Sequence, residues 1–235
     1  MSLPFFYEEN LPDTGTFALS EESSRHIVQV LRMQQSEQLL LTNGKGQTLT
    51  AEIISPHKKK TEVKVIGKNF IPKKEPGVAV AISFIKNAGR FEWFLEKATE
   101  IGISTIIPLL CKRTEKTHFR EERMKTIITS AMLQSRQAWL PEISAPVKTE
   151  ELLKTMGYQQ KFIAHCIDEK KKDLDSSILD KNSSKIILIG PEGDFTSEEI
   201  QLAIQQNYIP VTLGETRLRT ETAGLVAAVL LRNAS

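Results

Sequence analysis

"LGETRLRTETAGLVAAVLL", residues Leu213–Leu231, is the stretch on which the reading of this chain turns. It begins at the end of a β-type run, "IPVTL", turns at Gly214, carries Arg217 and Arg219 across a short polar loop, and becomes apolar from Ala223 onward except for Gly224. Thr220 reads as the cap of a helix starting at Glu221, where a carboxylate suits the positive end of the helix dipole. A helix apolar on every side has to be covered on every side, by a central place in the fold or by a second subunit. If "IPVTL" is a parallel strand, both arginines stand beyond its carboxyl end, where open α/β sheets bind ligands.

A second exit of the same kind lies upstream, "KIILIGPEGDFTSEEI" at Lys185–Ile200. A continuous apolar strand ends at Ile189 and a Gly-Pro-Glu-Gly turn follows. Thr196 and Glu199 have the spacing of a capping box. Gly190 and Gly193 are expected to permit positive φ and to let a ligand approach the backbone, whose exposed amides can bind polar groups. Read alone, the turn is equally a tight strand-to-helix connection. The chain has no G-x-x-x-x-G-K-[ST], no G-x-G-x-x-G after its first α/β strand and no G-x-S-x-G, which leaves the P-loop, the dinucleotide fingerprint and the nucleophile elbow unsupported.

Working outward, "PKKEPG" at residues 72–77 interrupts the hydrophobic patterning and marks a boundary between domains 1–73 and 74–235. Before it, short β-type runs around a turn at Asn43–Gly46 predict a small antiparallel barrel with one helix, "SEESSRHIVQVLRM". Ser20, Ser23 and Ser24 are its cap candidates, and Ile27, Val30 and Leu31 share a face at helical spacing. After the boundary, strands and helices alternate, as in a parallel sheet covered by helices. Residues 168–184 form the most polar stretch, expected to be a mobile excursion.

The 235 residues suffice for a sizeable core, and a formal charge of +2 does not by itself argue for nucleic acid. The local runs Lys58–Lys60, Lys73–Lys74, Lys112–Arg113 and Lys170–Lys172 each read first as solvated surface. Cys111 and Cys166 fall in apolar segments read as buried strands, suiting reduced core thiols. No metal-ligand spacing joins them to the four histidines. No signal-peptide pattern and no membrane-length apolar stretch occurs, so a soluble, cytoplasmic protein is expected.

"LIGPEGDFTSEEI" followed by "LGETRLRTETAGLVAAVL" resembles the C-terminal signature of the SPOUT methyltransferases, and within them the small-subunit (16S) ribosomal RNA uridine N3-methyltransferases. That pattern runs Gly-Pro-Glu-Gly-Gly-Phe, Leu-Gly, then Leu-Arg-x-Glu-Thr-Ala. "HIVQVLRM", "EKATEIG" and "QSRQAWLPEI" extend the likeness over nearly the whole chain. The resemblance implies an α/β fold: a C-terminal parallel sheet with a trefoil knot, preceded by a small PUA-like RNA-binding β-barrel. It further implies S-adenosylmethionine as methyl donor, no metal, 16S ribosomal RNA or the small subunit as substrate, and a homodimer through the knot helices. His165, Ile189, Gly190, Gly193, Leu213, Gly214, Leu218 and Arg219 would line the donor pocket.

Arg219 is the candidate for stabilising charge on the pyrimidine oxygens, with tying down the loop as its alternative role. Glu221 is either a proton acceptor or a dipole partner of its helix. Arg25, His26, Arg32, Lys86, Arg90 and Arg136 are the candidate RNA contacts. Two positions depart from the family. Asp194 replaces the second glycine, tolerable at a left-handed position, and Gln137 stands beside Arg136 where relatives carry arginine. Two other readings stay open on residues alone: a non-catalytic RNA-binding module, and an α/β enzyme acting on a small phosphorylated metabolite at the Gly190 loop.

Overall fold

The structure, a computed structural model, describes residues 3–115, 119–155, 157–167 and 171–234. His118, Lys170 and the first part of the polar excursion lie outside the described residues. The chain divides into two compact units, Met1–Lys73 with Met132–Leu140, and Lys74–Ala131 with Pro141–Ser235.

The first unit carries strands β1 (Phe5–Tyr7), β2 (Thr16–Ala18), β3 (Gln38–Thr42), β4 (Gln47–Ser55) and β5 (Glu62–Phe70) and the short helix α1 (Glu21–Arg25). The strands form one sheet in the order β1-β3-β4-β5-β2, antiparallel except for β1 beside β3. Alternation fixes its core: Leu39, Leu41, Leu49, Ala51, Ile53 and Val63 all point inward and are buried. Ser20 caps α1, its hydroxyl accepting from the Ser23 amide at 3.3 Å.

The expected single amphipathic helix does not continue. His26–Val30 forms a π-helical turn, in which the Leu31 amide reaches back five residues to the His26 carbonyl at 3.0 Å. The wider turn breaks the 3.6-residue register, so Ile27 and Met33 are buried while Val30 and Leu31 face solvent.

Residues 132–140, read from the sequence as part of the second domain, pack with the first. The Asn43–Gly46 turn accounts for this. The Gly46 amide donates to the Ala138 carbonyl at 2.9 Å, the Leu140 amide donates to Gly44 at 2.8 Å, and the Trp139 indole donates to Ile71 at 2.7 Å. A Cβ on Gly46 would lie 2.7 Å from the Trp139 ring, so only glycine seats that indole.

The second unit runs β6 (Val78–Ser83), α2 (Ala88–Ile101), β7 (Thr105–Leu110), α3 (Glu121–Gln134), β8 (Glu142–Ile143), β9 (Val147–Lys148), α4 (Thr149–Thr155), β10 (Gln160–Ala164), β11 (Lys172–Asp173), α5 (Leu174–Ser177), β12 (Lys185–Ile189), α6 (Ser197–Gln205), β13 (Ile209–Thr212) and α7 (Thr220–Asn233). Its strands are all parallel, in the order β11-β13-β10-β12-β6-β7-β8, with β9 also on β7. Every residue of β6 and β12 is buried, as expected for central strands covered on both faces. Cys111 is buried just beyond β7, whereas Cys166 lies past the end of β10 and is exposed, contrary to its reading as a core thiol.

α7 begins one residue earlier than its sequence suggests. Arg219 occupies the cap position without a side-chain bond, and the Thr220 hydroxyl is drawn instead to the Gly190 carbonyl at 3.1 Å. The helix packs against α2, β6 and β12. Gly224 permits this approach, since a Cβ there would stand 2.7 Å from Ile82 Cδ1 and 2.8 Å from Phe94 Cε2. Gly224, Ala227, Ala228 and Leu231 form the buried side, while Val229 is exposed and Leu225, Val226 and Leu230 are partly exposed. The chain therefore covers only one side of its apolar helix. Gly224→Leu is expected to overpack this contact and cost about 1–3 kcal/mol, lowering the thermal midpoint by several degrees in calorimetry; an unchanged midpoint would contradict the tight seat.

Candidate functional site

A cavity of about 560 Å³ opens beyond the carboxyl ends of β10, β12 and β13. Its position follows from topology. β13 lies on the far side of β10, yet α7 packs on β6 and β12, so residues 213–219 must return across the ends of β10 and β12. Three segments form most of the wall, Ala164–Cys166, Ile189–Glu192 with Asp194, and Val211–Thr220, and Lys171 and Ala223 of α7 complete it.

Hydrogen bonds lock these segments together. Thr220 holds Gly190, as described. Asp194 has φ +61, the left-handed conformation in which Asp is better tolerated than most residues. One carboxylate oxygen accepts from the Phe195 amide at 2.8 Å and the other from the Cys166 amide at 2.7 Å, joining the turn after β12 to the segment after β10. The capping box of α6 is present, and the second oxygen of Glu199 reaches the Lys112 amide at 3.0 Å. Arg113 donates to the Gly193 carbonyl at 2.7 Å. Nearby, burial pushes the Cys111 thiol up to about 11, which keeps it protonated and inert near neutral pH.

Of the residues singled out from the sequence, His165, Ile189, Gly190, Leu213, Gly214, Leu218 and Arg219 all line the cavity, as does Arg217. Gly193 does not; its carbonyl is taken by Arg113. Nor do Gly190 and Gly193 adopt positive φ. That conformation falls on Asp194 and on Gly214, at φ +127. Gly190 is small for another reason, because a Cβ would sit 3.0 Å from the Phe195 ring. His165 is buried, with its carbonyl accepting from Lys171 Nζ at 2.9 Å. Arg217 and Arg219 are exposed at the rim.

Glu221 is buried but is not a wall of the cavity. Its Oε1 lies 3.5 Å from Arg90 Nε, and among the described residues Oε2 has no hydrogen-bond partner. This pair ties α7 to α2 and engages Arg90 in the fold. Lys86 pairs with Glu115 at 2.9 Å, and this partner's hydrogen bond raises the pKa of its ammonium; both side chains are exposed, so the pair is worth little. In the first unit Arg25, His26, Arg32 and Arg136 are exposed. β1 and the residues just before it gather two of them: His26 packs edge-on against Phe6 at 5.6 Å, and Arg136 donates to the Leu3 carbonyl at 2.9 Å.

The RNA methyltransferase domain family matches residues 73–232, and the RNA methyltransferase PUA domain matches residues 19–66. The chain belongs to the RNA methyltransferase family. Ribosomal RNA small subunit methyltransferase E of Bacillus subtilis is 28% identical, covering 94% of this chain and 91% of its own length. A probable rRNA-methyltransferase from Porphyromonas gingivalis superposes with a TM-score of 0.89 at 35% identity, covering 96% of this chain and 95% of that one. Ribosomal RNA small subunit methyltransferase E from Neisseria gonorrhoeae, bound to S-adenosyl methionine, gives 0.87 at 28% identity, covering 99% and 98%. The parallel sheet of the second unit thus has the α/β SPOUT fold, and it is preceded in the chain by a PUA-like domain.

Among described residues no cluster of His, Cys, Asp or Glu could hold a metal, and no helix is long and apolar enough to cross a membrane. Sequence reasoning missed three contributors to this family member's cavity. Arg113 and Glu199 were read as a surface charge and a cap, and the second-segment contact of Asp194 left no local signal, because each acts across 28 or more positions. Arg113→Ala is expected to free the 190–196 turn and to speed amide exchange there severalfold, in line with about 1 kcal/mol for an exposed charged hydrogen bond; exchange at the wild-type rate would show that Arg113 holds nothing.

Proposed function

We propose that this protein transfers a methyl group from S-adenosylmethionine to N3 of a uridine in 16S ribosomal RNA, acting in the cytoplasm as a homodimer. The observation that carries the reading is the cavity itself, formed where two strand exits and the returning loop are bonded together beyond a parallel sheet. Its volume lies in the range of small-ligand sites. The residues fit the donor. Ile189, Leu213 and Leu218 offer apolar walls for a flat base, and the side-chain-free backbones of Gly190 and Gly214 offer polar groups at close range. When bound, S-adenosylmethionine supplies an electrophilic methyl on sulfur.

The chain's own part is positioning and electrostatics. A uridine at the rim must lose its N3 proton, which leaves to solvent as the donor becomes a neutral thioether, and the negative charge spreads onto the two carbonyl oxygens that flank N3. Arg219, exposed at the rim beside Arg217, is placed to donate hydrogen bonds to that charge. Glu221 is not assigned the proton, because its carboxylate faces Arg90. It anchors α7, and with it the loop that carries Arg219. Arg25, His26, Arg32 and Arg136 of the first unit are assigned to RNA phosphates, and Lys86 is a further contact if it exchanges Glu115 for phosphate.

The partly exposed side of α7, Leu225, Val226, Val229 and Leu230, is the proposed dimer contact. Burial there by a second copy would complete the cover that an apolar helix requires.

The reading is tested by titrating the protein calorimetrically with S-adenosylmethionine and by mapping N3-methyluridine in 16S RNA from cells lacking it; donor binding without loss of the mark would refute the substrate. Arg219→Ala is expected to lower kcat by roughly 10²–10³ with donor affinity changed only a few fold, the pattern of a lost transition-state donor. A change confined to KM would move Arg219 to binding. Val226→Asp should cost about 3–5 kcal/mol of dimer stability by burying an uncompensated charge. Sedimentation reads this directly, and a wild-type protein that is monomeric and fully active would remove the dimer from the mechanism.

A further inference from the structure

The first unit displays a group of side chains that neither its core nor the candidate contacts on β1 use. Phe70, the last residue of β5, is 59% exposed although it is a large aromatic residue. Its ring meets Trp139 edge-on, with centroids 6.2 Å apart and planes at 82°. Trp139 is itself fixed, its indole N–H on the Ile71 carbonyl and its ring seated on Gly46. Lys73 Nζ lies 5.8 Å over the Trp139 ring. The result is a braced aromatic face held in one orientation, with a cation beside it.

Charge selects the occupant. The segments that meet here, 43–48, 66–73 and 132–140, bring Lys45, Lys68, Lys73 and Arg136 and contain no aspartate or glutamate. Lys68 is engaged by Asp13, while Lys45 and Lys73 are exposed. An open aromatic face among lysines suits a ligand that is flat and apolar on one side and anionic along its length. An unpaired nucleotide in a single strand has that chemistry.

We infer that Phe70, braced by Trp139, is a stacking platform for an unpaired base of the RNA substrate, with Lys45 and Lys73 taking the adjacent phosphates. The inference rests on the RNA-methylating reading and adds a base contact to a unit otherwise assigned only phosphate contacts. A duplex cannot use the platform, because its bases are already stacked. The preferred RNA therefore presents a loop, bulge or single strand to this unit.

The test uses the full chain with Trp93→Phe, so that Trp139 alone fluoresces. Binding of a short single-stranded oligouridylate should quench Trp139, and an abasic strand of the same length should not. Phe70→Ala should weaken the oligouridylate about tenfold, the loss typical of one stacked base, with Phe70→Tyr close to wild type. Lys73→Ala should weaken oligouridylate and abasic strand alike and flatten the salt dependence. Equal binding of oligouridylate by wild type and Phe70→Ala, or equal quenching by the abasic strand, overturns the inference. So does a change in sedimentation of Phe70→Ala at unchanged RNA affinity, which would make the patch a protein contact. Methylation of 16S RNA by the wild type is measured in parallel: its absence rejects the enzymatic reading, while its presence with an indifferent Phe70→Ala rejects the platform alone.

Discussion

Gly224 allows α7 to lie directly on Ile82 and Phe94, and the rest of the second unit depends on that contact. With the helix fixed over β6 and β12, the preceding strand β13 can stay on the far side of β10 only if residues 213–219 run back across two strand ends. The crossing creates the cavity, puts Gly214 at φ +127 to make the turn, and leaves Arg217 and Arg219 at the mouth. A side chain at position 224 would lift the helix and with it the roof of the site. Sequence, packing and site geometry are joined there by the absence of one methyl group.

The cavity's walls come from loops, yet they are held as firmly as regular structure. The walls and the turns beside them are tied by buried or charged groups: Thr220 to Gly190 and Asp194 to Cys166 within the walls, Arg113 to Gly193 and Glu199 to Lys112 behind them. Hydrogen bonds to ionised groups are stronger than neutral ones, and three of these four involve such a group. This matters for a reaction in which the protein supplies position rather than a nucleophile. A site of that kind loses rate when its walls drift by an ångström.

Much of this was legible in the sequence, and the failures share a cause. The alternation of apolar strands with amphipathic helices gave the parallel sheet, because each element's periodicity is local. The two glycine exits lie at the cavity, and seven of the eight residues that the family resemblance puts in a donor pocket line it. Gly193 failed because a glycine in a turn does not by itself say whether it serves φ, ligand space or a neighbour; here the neighbour is Arg113. Glu221 and Arg90 were read as separate candidates because they lie 131 positions apart in the chain, and only the fold shows that they pair. The π-turn at His26–Val30 inverted the exposure expected of Val30 and Leu31, since a helical wheel assumes a pitch that this turn does not keep. The packing of segment 132–140 with the first unit has no local signal either, because its attachment is a non-local one, to the Asn43–Gly46 turn.

α7 also explains why the same residues serve stability and chemistry. Its inner side is built from Gly, Ala and Leu, which bring it close to the sheet, and its outer side from Leu and Val, which are left partly bare. A carboxylate in its first turn, Glu221, is buried and pairs, among the described residues, with Arg90, itself only partly exposed. Removing the charge of either would leave the other uncompensated in a poorly solvated place, a larger penalty than the pair's own attraction repays. The pair therefore acts less as a source of stability than as a register mark. It fits the rotation of α7 that carries the Arg219 end of the returning loop to the mouth of the cavity.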